Sequence, residues 1–163
     1  MEERIILDYY RTNEKTMYII PIPSIDYNAI AKEVDNTVYI KQTPFDIIKE
    51  NVLIGGADFN GRRRSITYNL GMQKKLPMPI NPPRNIYAFP SHAPTQFHCL
   101  WIFAEHINHI QSVPNNKKFR STIQFKNGEK LFLEVSPYIL ETQLIKTWKV
   151  KKYMEDRHSS KQR

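Results

Sequence analysis

Short Ile- and Tyr-rich runs bounded by turn residues recur along this chain, and only two stretches show apolar residues at helical spacing. "RIILDYY" (4–10) and "TMYIIPIP" (16–23) are rich in Ile and Tyr and flank a polar "RTNEK", a pattern that predicts a hairpin whose second strand ends at Pro21 and Pro23. "AIAKEV" and "TVYIKQ", separated by Asp35-Asn36, predict a second strand pair. In "TPFDIIKENVLIGG" the period changes. Thr43 is placed to cap a helix, Pro44 suits its first position, Phe45, Ile48 and Val52 share a face, and Gly55-Gly56 can end it.

Beyond the glycines the pattern breaks up. "SITYNL" reads as a strand, and the proline cluster "KKLPMPINPPR" as an irregular, exposed crossing. "IYAFP" and "FHCLWIFA" resume strand composition, and "FRSTIQF-KNGE-KLFLEV" predicts a hairpin with Asn127-Gly128 as its two-residue turn. Ser136 and Pro137 open a helix expected to run to about His158, with Leu140, Leu144, Thr147, Trp148 and Lys151 at helical spacing. The fold class expected is α+β, a single β-rich domain over 1–163 with hairpins, a short central helix and a C-terminal helix, with 1–16 and 159–163 as flexible ends.

The charge distribution adds what periodicity cannot. The net charge is +8, yet residues 1–58 hold ten acids and six bases, residues 59–104 no acid and six bases, and residues 105–163 six acids and twelve bases. At the chain-average frequency the middle window would hold about 4.5 acids. Exclusion of Asp and Glu is what a polyanion-binding surface requires, because a carboxylate facing a phosphate cancels a cation and adds a desolvation cost. Within that window Asn60-Gly61 precede Arg62, Arg63 and Arg64, three adjacent cations that no regular element can place on one face. Read as a loop, they fan outward, suited to phosphates and to the electronegative minor groove of A-tracts. Lys74, Lys75 and Arg84 add phosphate contacts, Lys117, Lys118 and Arg120 form a second cluster, and Lys146, Lys149 and Lys152 line one helical face. Tyr68, Tyr87, Phe89, Phe97 and Trp101 are aromatics able to stack on bases, although most of them read as core.

Other chemistries are poorly supported. His98, Cys99, His106 and His109 lack the paired spacing of a zinc site, so no metal and no cofactor is expected. Cys99 reads as a small core hydrophobe and, being the only cysteine, forms no internal disulfide. Asp8, Asp26, Asp46 and Asp58 are too scattered for a metal-dependent nuclease, and Gly55-Gly56 lacks the remainder of a phosphate loop. The chain is therefore expected not to be an enzyme; a nucleic-acid-processing enzyme or nuclease accessory protein and a binder of single strands or RNA remain the alternatives. The charged start and the short apolar runs, "CLWIFA" among the longest, predict a cytoplasmic protein without a membrane span.

The order of "Gly-Arg-Arg" after a glycine-containing turn, "LPMPINP", "YAFPSH", the Trp101 strand, "STIQFKNGEKL" and a helix beginning "SPYILETQ" resembles the ComK family of competence transcription factors, from about Met17 to Arg157. The resemblance implies a DNA-binding activator of DNA-uptake genes located at the bacterial nucleoid. It implies dimers paired on promoters, AT-rich boxes read largely through the minor groove, and RNA polymerase as a neighbour. By it, Gly61, Arg62 and Arg63 correspond to the family's glycine-plus-basic element. The chain stops soon after "YMEDRH", without the extended tail through which an adaptor and protease recognise the best-known member, a departure that leaves control by that route an open question here.

Overall fold

The computed structural model describes residues 4–161, with side chains as far as Arg157; the outermost residues of both expected flexible ends lie outside it. A seven-stranded sheet forms the centre, ordered β1-β4-β3-β2-β7-β6-β5. Its strands are β1 (Ile6–Leu7), β2 (Thr16–Pro21), β3 (Ala29–Glu33), β4 (Thr37–Ile40), β5 (Met78–Asn81), β6 (Ile86–Pro90) and β7 (Trp101–Phe103). A second, antiparallel sheet of β8 (Ile107–Ser112), β9 (Ser121–Phe125) and β10 (Lys130–Leu133) is ordered β10-β9-β8. The helices are α1 (Pro44–Ile54), α2 (Phe59–Leu70) and α3 (Pro137–Lys161). The class is α+β, as the patterning implied.

Strand alternation sorts the large sheet into two faces. Ile86 and Ala88 of β6 and Trp101 and Phe103 of β7 join Ile47, Ile48 and Val52 of α1 in one core. Phe89 and Ile102 face the other way, into a core closed by Ile123, Phe125 and Leu133 of the small sheet and by Leu140 of α3. A third cluster of Ile66, Leu76, Tyr87 and Val150 joins α2, the β5 edge and α3.

Four expectations change. The first hairpin does not form: β1 pairs in parallel with β4, Ile6 opposite Tyr39. The intervening chain is carried across α1, where the Asn51 side chain accepts from Thr12 N at 2.9 Å and donates to Tyr10 O at 2.8 Å. The proline cluster contains a strand, β5; it lies at the sheet edge, where a residue without an N–H is tolerated. The stretch holding the arginines and "SITYNL" is the helix α2, capped by Asp58, whose Oδ2 accepts from Gly61 N at 3.0 Å, and ended by Gly71 at φ 71. Lastly, the β9–β10 hairpin exists as read, but Gly128 alone takes a positive φ (91°), while Asn127 does not. Gly128 N donates to Phe125 O and Phe125 N to Glu129 O, so the turn centres on Lys126-Asn127, with Gly128 as a bulge that adds one residue to the loop.

Candidate nucleic-acid interface

Helix geometry decides what each arginine can do. Successive residues lie 100° apart, so on a helix seated on Phe59, Ile66 and Leu70 the positions flanking that stripe are 62 and 63, and contact with α3 turns one of the two inward. That position is Arg62. Its Nε is buried without a hydrogen-bond partner among the described residues, and its Nη1 lies 3.7 Å from Met154 Sδ of α3. Burial lowers its pKa, with Arg157 repelling it further. Arg63 and Arg64 face solvent beside Asn60, Gly61 and Tyr68. The triplet thus divides into one packing arginine and two free ones. Among the described residues neither Arg63 nor Arg64 forms an ion pair.

The remaining cations of the acid-free block separate in the same way. Lys74 is exposed and Lys75 half-buried, on a loop fixed against α3: Gln143 Nε2 donates to Lys75 O at 2.8 Å and Lys146 Nζ to Lys74 O at 3.4 Å. Burial and the neighbouring Lys75 charge lower the Lys146 pKa, so the Lys75 and Lys146 amines form one positive pair beside Lys74. Lys149 and Lys152 are exposed further along α3. Arg84 is engaged elsewhere. Its Nε and Nη2 grip Glu14 at 2.7 and 2.6 Å, a fork that recruits an acid from outside the block.

Lys117, Lys118 and Arg120 lie apart from α2, on the loop joining β8 to β9. Asn116 Oδ1 accepts from Lys118 N and Phe119 N, both at 2.9 Å, which fixes the loop's shape. Of the five aromatics considered for stacking, Tyr87, Phe89 and Trp101 are core, whereas Tyr68 is 89% and Phe97 58% exposed. Tyr87 lines a cleft of about 760 Å³ between α2 and α3, together with Arg62, Ser65, Met154 and Arg157. Burial, reinforced by Glu155, pushes the Tyr87 phenol up to about 12.

The histidines and Cys99 do not converge. Cys99 is buried with its thiol on His92 O at 3.3 Å and pushed up to about 11 by that burial, while His106 Nε2 meets Glu14 O at 2.7 Å. Among the described residues no group of three or more His, Cys, Asp or Glu is placed to hold a metal ion, and no helix is long and apolar enough to cross a membrane.

A further set of outward-facing polar residues lies on the small sheet. Register places His109, Gln124 and Lys130 in one row and Gln111, Thr122 and Phe132 in the next, all on the face opposite the core. The signal was the alternation within "INHIQS" and "STIQF". It was legible only once the strands were paired.

The family model described as ComK protein matches residues 7–159 of the chain. The competence transcription factor of Bacillus subtilis (strain 168) is 25% identical over 154 residues, covering 93% of this chain and 78% of that protein. No solved structure matches.

Proposed function

Because the chain belongs to the ComK family, we propose that it is a transcriptional activator of competence genes that binds AT-rich duplex DNA through the exposed face of α2 and the adjoining lysine loop. The observation that carries this reading is the set of cations that have no carboxylate partner among the described residues, Arg63, Arg64, Lys74 and Lys75, in a block of sequence without acids. Such a surface gains affinity by releasing counterions from DNA. The name of the Bacillus relative supports the regulatory role. With that role go homodimers on paired promoter boxes, RNA polymerase as a neighbour, a place at the nucleoid, and binding rather than catalysis.

The helical setting bears on how DNA is read. A helix about 10 Å across does not enter a minor groove about 6 Å wide, so minor-groove reading requires α2 to ride the phosphate rim while Arg63 and Arg64 reach in. A second reading is favoured by one observation: α1 and α2 are joined by only Gly55–Asp58, and α2 exposes Asn60, Arg63, Arg64 and Tyr68, as a helix-turn-helix unit presents a helix to the major groove. A competition series on an AT-rich duplex separates them. Minor-groove reading predicts displacement by an AT-minor-groove ligand and tolerance of I·C for A·T substitution, which changes the major-groove pattern alone. Insensitivity to the ligand with loss of binding on I·C substitution would overturn it in favour of the major groove.

A further inference from the structure

The largest acid-free run outside the α2 block spans residues 106–128, with Lys117, Lys118, Arg120 and Lys126 as its cations. It folds into β8, β9 and their connecting loop, and pairing with β10 completes a three-stranded face. The inner side of that sheet is spent on the core through Ile123 and Leu133, with Ile110 and Leu131 packed beside them. The outer side has no such use. Gln111, Lys130 and Phe132 are exposed and His109 and Gln124 half-exposed, around Thr122 at the centre. Fold stability gives no reason for this composition: amide and imidazole groups face outward, and no carboxylate lies within the paired rows.

The cations around this face are also unspent. Among the described residues Lys117, Lys118, Arg120, Lys126 and Lys130 form no ion pairs. The two nearest acids are informative. Glu129, in the β9–β10 turn, is turned to Lys32 at 3.7 Å. Glu134 is exposed, and because Leu133 and Val135 both face the core, alternation carries Glu134 to the outer side, at the end where Arg120 N donates to Leu133 O.

We infer that this outer face is a second duplex-DNA surface, in which Lys117, Lys118 and Arg120 hold phosphates and Gln111 and Gln124 meet base edges. The Gln amide N–H groups can donate to the acceptors that A·T pairs show in the minor groove, and a sheet laid against DNA presents alternate side chains to it, as β-sheet readers do. The Asn116-braced loop supplies a preformed phosphate grip, so little ordering is lost on binding. The inference rests on the DNA-binding reading above and extends it from one face of the molecule to two.

The test is a salt series on an AT-rich and a scrambled duplex, with a single-stranded oligonucleotide as a third ligand. It compares the full chain with Lys117→Ala/Lys118→Ala, Gln111→Ala/Gln124→Ala, Glu134→Gln and, as reference, Arg63→Ala/Arg64→Ala. All positions are at least partly exposed, and unchanged circular dichroism checks the fold of each variant. The lysine pair is expected to make the slope of log K against log salt shallower by about 1.8. The glutamine pair should leave the slope in place and lower the preference for the AT-rich duplex about tenfold or more. Glu134→Gln should tighten binding to both duplexes. If every sheet variant bound like the wild type while the arginine pair weakened binding, the sheet inference would fall and the α2 reading would stand. If the wild type bound neither duplex, or bound the single strand more tightly than both, the DNA reading and this extension would fail together.

Discussion

Helices α1 and α2 are neighbours in sequence, 11 and 12 residues long, and use those residues in opposite ways. α1 commits Pro44, Ile47, Ile48, Asn51 and Val52 to the interior, and its Asn51 amide ties down the N-terminal segment at Tyr10 and Thr12. α2 buries only Phe59 and Ile66, and directs two arginines, two asparagines and a tyrosine outward. Phe45 and Phe59 meet edge to face at 5.1 Å, so one helix holds the other in place. The contrast separates the residues that make the surface from those that position it. Substitutions in α1 should act through stability and substitutions on the outer side of α2 through DNA affinity.

The largest effect expected is in α1. Ile48→Ala removes a fully buried side chain and should cost about 2–5 kcal/mol in chemical denaturation. DNA affinity of the remaining folded fraction should be unchanged. Gly55→Ala comes next. A Cβ there would stand 2.6 Å from Ile80 O, a backbone atom of β5, so the helix end must shift, at a cost of about 1–3 kcal/mol. Because Gly55 sets the start of the connection to α2, this variant should also weaken DNA binding, which sharpens the comparison; equal stability to wild type would break it. The smallest effect is of opposite sign. Gly61 lies inside α2 without a positive φ, and a Cβ there would meet Asp58 at an ordinary 3.7 Å. Gly61→Ala should therefore raise stability by about 0.5 kcal/mol and preserve binding. A flexible arginine loop would give the reverse.

Several local elements were legible in the sequence because their signals are local. Thr43-Pro44 caps α1, Ser136 caps α3 with its hydroxyl accepting from Ile139 N at 3.3 Å, and Asn127-Gly128 marks a hairpin. α2 was missed for a physical reason. Its buried stripe contains a charged residue, Arg62, where an apolar one would have revealed the period, and two glycine-containing pairs flank a cap, Asp58, that reads as part of a turn. The parallel pairing of β1 with β4 depends on a path across α1 that no local pattern encodes. Of the candidate site, the acid-free block was legible in the sequence, while inward Arg62, the Glu14-bound Arg84 and the outer row of the small sheet required the strands and helices to be assembled.

The central claim is that the arginine triplet divides between packing and DNA. A salt titration of an AT-rich duplex with wild type, Arg63→Ala/Arg64→Ala and Arg62→Ala tests it directly, with thermal melts alongside. The arginine pair should melt within about 0.5 kcal/mol of wild type and lose between about 1 and 2 from the salt slope. Arg62→Ala should lower the melt through loss of a half-buried side chain whose guanidinium meets Met154, and keep the slope. A double variant that binds like wild type, or an Arg62→Ala variant that loses as much of the slope, would contradict the division.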